Sequence, residues 1–130
     1  MTEGGTFAMG LWALPEGVGA VSKVRKSDPA RGSYMQCAGS WQAMTVEVRI
    51  QRLDGSHEHY VVAREAVGGS QEWVTITYVS DISFSGATQT REIRLHPQEV
   101  FTGQQAVEVF ADYVLHATLP PKHLLRPLDV

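Results

Sequence analysis

From Met44 onward the hydrophobic and polar residues fall into regular periods. Residues 45–53 read TVEVRIQRL, with Val46, Val48 and Ile50 alternating with Glu47, Arg49 and Gln51. That period of two predicts a strand buried on one face. Asp54-Gly55 is a hairpin-turn signal, and His59 to Arg64 forms the return strand. Two registers are open for this hairpin. A two-residue turn sets His59, Val61 and Ala63 opposite Ile50, Val48 and Val46. An odd-length loop sets Tyr60 and Val62 there instead and moves His57 and His59 to the polar face. The odd loop is preferred because it matches the larger apolar side chains, and a slip of one residue exchanges the two faces.

Val67-Gly68-Gly69-Ser70 reads as a loop. Trp73 to Val79 is a β-branched and aromatic run with Val74, Ile76 and Tyr78 on one face. Ile82 and Phe84 continue that parity past a bulge at Ser80-Asp81. Ser85-Gly86-Ala87-Thr88 turns the chain, and Arg91 to Leu95 returns with Ile93 and Leu95 facing the core. These are four antiparallel strands in meander order. Thr102-Gly-Gln-Gln105 fits a helix capping box. Ala106, Val109, Phe110, Tyr113, Val114 and Ala117 then recur at spacings of three and four, one apolar helical stripe. Pro120-Pro121 stops the helix, and Leu124, Leu125 and Leu128 form a short extended tail broken by Pro127. One helix cannot bury its own stripe. The expected fold is therefore α+β: an antiparallel meander sheet of four to six strands with one main helix, about 102–117, packed on one face.

The first 43 residues read differently. They hold seven of the twelve glycines, with Trp12, Trp41 and Cys37, and neither period persists. Residues 1–43 are expected to be a Gly-rich irregular arm or extension. It either docks on the main domain through Phe7, Leu11, Trp12 and Leu14, with one or two short strands, or is dispensable. Residues 44–130 form the α+β domain.

A chain of 130 residues is one domain's worth and long enough to bury a core. One cysteine excludes an internal disulfide framework and any cysteine-cluster zinc site. No apolar run reaches membrane-spanning length, and no signal-peptide pattern opens the chain. A soluble cytoplasmic protein is expected. Residues 1–43 carry four basic and three acidic groups, and residues 44–130 carry seven basic and eleven acidic. That acidic excess argues against nucleic acid as a partner, and the Lys23–Lys26 cluster reads as a solvated loop.

Few residues carry a chemical signal. His57-Glu58-His59 is the one metal-like cluster, since i and i+2 on a strand share a face. It lacks a third ligand, which Glu47 or Glu65 would have to supply, and turn histidines are ordinarily solvated. Cys37 has no surrounding nucleophile pattern, no G-x-S-x-G elbow is present, and Gly17-Val18-Gly19 lacks the rest of a dinucleotide fingerprint. Asp81, Glu92 and Glu99 are candidates for acid–base work only in being acidic, and Trp73 reads as a core or rim residue. No cofactor or metal is expected, and no catalytic residue is assigned. The mixed polar face of the first hairpin remains: Glu47, Arg49, Gln51, His57, Glu58 and His59. It is a solvated face in the plain reading and a steering, protein-binding face in the functional one.

The carboxy-terminal half adds a resemblance. Trp-Val-Thr-Ile-Thr-Tyr, then Arg-Leu-His-Pro-Gln-Glu-Val, the helix AVEVFADYVLHA and a Leu-Pro-Pro break follow in order. Over residues 45–128 this resembles the Imm1 family of bacterial immunity proteins, whose helix follows the pattern "xxAxxxxxxFxxTGxxPxxVxW". Ala106, Phe110 or Tyr113, Ala117-Thr118 and Pro120 fit. Leu119 stands where the pattern has glycine, and Leu-Arg-Pro-Leu replaces its closing tryptophan segment. The resemblance implies non-enzymatic neutralisation of a cognate toxin by protein binding, as in toxin–antitoxin pairs, and identifies no individual binding residue. Two alternatives stand beside it. One is a ligand-binding or enzymatic domain with a pocket between helix and sheet; the other is an oligomerising structural subunit.

Overall fold

The computed structural model of the chain describes residues 5–13, 32–68, 72–80 and 89–128. Among the described residues, seven strands and one main helix make an α+β fold. Strands β1 (Thr6–Leu11), β2 (Tyr34–Ser40), β3 (Met44–Gln51) and β4 (His57–Val62) form an antiparallel meander. The short β7 (Leu125–Pro127) completes a five-stranded sheet beside β4. Among the described residues, strands β5 (Val74–Ser80) and β6 (Gln89–Leu95) pair only with each other. Helix α1 spans Gly103–His116.

The odd-loop register of the first hairpin is the one observed. Val48 faces Tyr60, Arg49 faces His59 and Gln51 faces His57, across a five-residue loop, 52–56. Asp54 shapes that loop by accepting from the Ser56 amide at 2.8 Å and the Ser56 hydroxyl at 2.6 Å.

Each face of the sheet has its own cover. On one side Met35, Val46, Val48 and Val62 meet Phe101, Ala106, Phe110 and Tyr113. On the other, Val61 packs with Ile76 and Leu95 of the β5–β6 hairpin. Val61 and Val62, adjacent on β4, are both fully buried. A strand buried on both faces needs two covering layers. This corrects the expected meander, in which Trp73 to Leu95 extended the same sheet. The position beside β4 is taken by β7, so β5 and β6 spend their apolar face as a separate lid.

Pro127, expected to break the tail, lies within β7 opposite Tyr60. An edge strand tolerates proline because its outward side needs no amide donor. The segment is fastened by a buried ion pair. Arg126 donates from Nε to Glu99 Oε2 at 2.8 Å and from Nη2 to Glu99 Oε1 at 3.0 Å, and Oε1 also accepts from the His96 amide at 2.8 Å. Glu99 sits in a 3₁₀ turn, Pro97–Glu99, and is fully buried.

The capping box forms as the sequence predicts: the Thr102 hydroxyl accepts from the Gln105 amide, and the Gln105 side chain accepts from the Thr102 amide. The helix buries Ala106, Phe110 and Tyr113. Val114, placed in the same stripe by spacing, is 43% exposed, and Ala117 is the left-handed C-cap. The Gly103 amide donates to the Trp41 carbonyl at 2.7 Å, which docks the helix start on the β2–β3 turn. Ile82, Phe84, Asp81, the turn at 85–88, Gly17-Val18-Gly19 and the Lys23–Lys26 cluster lie outside the described residues.

Candidate functional site

Registers carried across the sheet determine which side chains face the β5–β6 hairpin. They are Ala8 and Gly10 on β1, Gln36 and Ala38 on β2, Thr45, Glu47 and Arg49 on β3, and His59 and Val61 on β4. Ala8, Gly10 and Ala38 are small, and β5 approaches the sheet at this end, where the Val79 amide donates to the Thr6 hydroxyl at 3.0 Å. A cleft of about 710 Å³ lies between the two sheets, bordered by Ala8, Gly10, Gln36, Ala38, Glu47 and His59 of the large sheet and by Trp12, Tyr34, Tyr78, Arg91, Ile93 and Leu128. Its size is that of a small-molecule site, with mostly apolar walls and a few polar groups.

Glu47 and His59 form the polar floor. His59 Nε2 lies 2.8 Å from Glu47 Oε1, and both side chains are 8% exposed. With the carboxylate ionised, Nε2–H is the donor. The Glu47 charge is felt on both sides. Burial pushes the Tyr78 phenol up, and Glu47 adds to the rise while Arg91 opposes it. Burial, then Glu47, lifts the Cys37 thiol to about 11. Cys37 borders the cleft, but its side chain packs in the helix-side core through its pairing with Val46, so its thiol is buried and its pKa raised.

Trp12 and Tyr34 stand at one wall, ring centroids 5.4 Å apart and tilted by 48°. Trp12 leans over Gly10, where a Cβ would lie 3.6 Å from its ring. The Arg49 guanidinium lies 5.8 Å from the Tyr34 centroid, and its buried Nε has no hydrogen-bond partner.

The six residues of the anticipated polar face are thus divided. Glu47 and His59 meet as the buried floor. Arg49 and Gln51 are half-buried beside them, and His57 is exposed at the far end of β4. Glu58 lies on the other face, opposite Ile50. There its carboxylate accepts from both Arg52 and Tyr60. The polar face is therefore no open solvated surface at its centre, because the β5–β6 hairpin covers it. Among the described residues no group of three or more His, Cys, Asp or Glu side chains is placed to hold a metal ion.

Sequence reading missed Gln36, Tyr34, Ala8 and Gly10, since the segment that carries them shows no lasting period. It also missed Tyr78 as a cleft residue, although its β5 parity was legible. Two further hollows lie on the helix side. One, of about 370 Å³, sits between Val62, Gln105, Val109 and Leu119, where the alternative reading placed a pocket. The other, of about 480 Å³, adjoins Tyr60, Glu58 and Pro120. Neither has a buried charged floor. Among the described residues no helix is long and apolar enough to cross a membrane. No protein-family profile, curated protein or solved structure matches the chain.

Proposed function

We propose that this chain is a non-enzymatic binding module that holds a small organic ligand between its two sheets. The observation that carries the reading is the 710 Å³ cleft floored by the buried Glu47–His59 pair. A buried carboxylate costs free energy unless its hydrogen-bonding capacity is used, and ligand binding is a use that a purely structural core does not need. Binding is favoured over catalysis because no described nucleophile stands beside the pair, and the one thiol is buried on the other face. The test is an NMR fragment screen on the isotope-labelled full chain. Hits are expected to move the amides of Gly10, Gln36, Glu47 and Leu128, and Ala8→Trp, which fills the cleft from the edge strand, should abolish them. Shifts that cluster elsewhere, or survive Ala8→Trp in a folded protein, would sink the reading.

A second reading is neutralisation of a toxin by an Imm1-like protein. Apolar side chains on the outer helix support it: Val107, Val114 and Leu115 are 52%, 43% and 72% exposed. It predicts that the tagged chain copurifies with a toxin domain from its host, that Leu115→Asp releases the partner, and that Ala8→Trp retains it.

A further inference from the structure

Resting on the protein-binding reading of the outer helix rather than on the cleft, we infer that the hollow between α1 and the 118–124 segment docks a basic, apolar segment of a partner polypeptide. One large apolar side chain of that segment enters the hollow, and its lysine or arginine side chains meet Glu108 and Asp112. The local sequence builds this site. Ala117 ends the helix in the left-handed conformation, and the Thr118 amide turns back to the Asp112 carbonyl at 3.1 Å. Pro120-Pro121 cannot continue the helix and carry the chain away from it, until the Leu124 carbonyl accepts from the Ala63 amide at 2.8 Å. The space of about 370 Å³ between these walls is floored by Val62 and Phe101, both buried, and flanked by Val109, Leu119 and Leu124. Prolines and backbone hydrogen bonds fix both walls, so little ordering is needed when an apolar group enters.

Charge at the rim selects the occupant. Glu108 and Asp112 line the hollow from the helix, one turn apart, and both are exposed. Neither belongs to an ion pair among the described residues. Like charges at i and i+4 disfavour a helix, and α1 holds no lysine or arginine to relieve them. Arg64 is the one cation lining the hollow, and it donates from Nε to the Val100 carbonyl at 2.6 Å and from Nη2 to the Pro97 carbonyl at 3.1 Å. Lys122 lines the neighbouring hollow beside Glu58 instead. Two carboxylates against one guanidinium leave the rim negative over an apolar floor. Leu115, which is exposed, follows Asp112 by three positions and Glu108 by seven, so the carboxylates stand between two apolar contacts. A segment crossing there meets apolar, acidic and apolar surface in turn, which a basic amphipathic segment matches. An acidic segment would face like charge, and an uncharged one would shield the carboxylates from water without pairing them.

The experiment titrates four short capped peptides into the isotope-labelled full-length chain and follows amide shifts. Three share one spacing of leucines and carry lysine, glutamine or glutamate between them; the fourth keeps the lysines and has alanine for leucine. Expected is saturable movement of Gln105, Val109 and Leu124 with the lysine–leucine peptide. Affinity should be about tenfold lower for the glutamine and alanine peptides, with no such movement for the glutamate one. Glu108→Lys combined with Asp112→Lys should exchange the preference between the lysine and glutamate peptides. Equal binding of the glutamine peptide, or shifts spread evenly over the protein, overturns the basic assignment. Equal binding of the alanine peptide overturns the seat in the hollow, and no movement with any peptide overturns both. The protein-binding reading fails separately. A host toxin domain released by Leu115→Asp yet retained by the doubly reversed chain leaves that reading standing and removes this surface from it. Should the double variant fail to fold, the four peptides on the unaltered protein still decide.

Discussion

Arg126→Ala tests the packing of the chain's last strand. The substitution deletes two charge-assisted hydrogen bonds, each contributing roughly 1.5–3 kcal/mol. It leaves Glu99 fully buried with the His96 amide as its remaining described donor. Removing one partner of a buried pair costs about 3–5 kcal/mol. The Arg126 side chain is 30% exposed, so water already screens part of it, and the lower end, about 3 kcal/mol, is expected. Urea unfolding followed by tryptophan fluorescence and circular dichroism reads this as a midpoint lowered by roughly 1.5 M, for a slope of about 2 kcal/mol per molar. Two controls isolate the cause. Glu99→Gln keeps an acceptor for the His96 amide and leaves a half-solvated guanidinium, so it should cost only about 1 kcal/mol. Arg94→Ala removes a guanidinium 5.0 Å from the Trp73 centroid, close to the 5.4 Å of Arg126, and touches no buried carboxylate. It should cost about 0.5–1 kcal/mol. Equal losses for Arg94→Ala and Arg126→Ala, or a larger loss for Glu99→Gln, would refute the ion-pair account.

Two further predictions concern the sheet. Gly39 has φ +135°, and a Cβ there would lie 2.4 Å from the Ala43 carbonyl oxygen, so Gly39→Ala should cost about 2–3 kcal/mol. Gly55, at φ +88° in open space, should cost about 1 kcal/mol on the same change; thermal melts showing the reverse order would contradict the hairpin geometry. Cys37 should resist a thiol-specific reagent at pH 8 until the protein unfolds. Its folded thiol sits at about 11 against an ordinary 9.0, so the unfolded chain loses the proton first and stability falls as pH rises from 9 toward 11. Cys37→Ala should flatten that part of the profile, and an unchanged slope would argue against a buried thiol.

Much of the fold was legible where local signals and tertiary demands agree. The β3–β4 register followed from matching Tyr60 and Val62 to Val48 and Val46, because one residue of slip would have set His59 and Ala63 on the core face in place of those larger apolar side chains. The Thr102–Gln105 box and the Pro120-Pro121 stop marked both ends of the helix, since capping satisfies backbone groups within a few residues of sequence. Strand β2 was hidden for the opposite reason. Its residues Tyr34–Ser40 include Cys37, Ala38 and Gly39, whose small side chains give alternation no contrast, although the strand sits inside the sheet.

What the sequence determined by itself was the set of elements from Met44 on and the α+β class, both consequences of side-chain period and capping chemistry. What only the tertiary structure decided was which sheet each strand joins and which polar residues meet. β7 occupies the edge of β4 and so turns β5–β6 into a lid over the other face. That lid converts Glu47 and His59 from alternating polar positions into a buried pair. Small residues on β1 and β2, some 40 positions away in sequence from the carboxylate or fewer, line the cleft beside that pair. Non-local pairing of this kind leaves no period in the chain, because the residues it joins answer to one another only across the sheet.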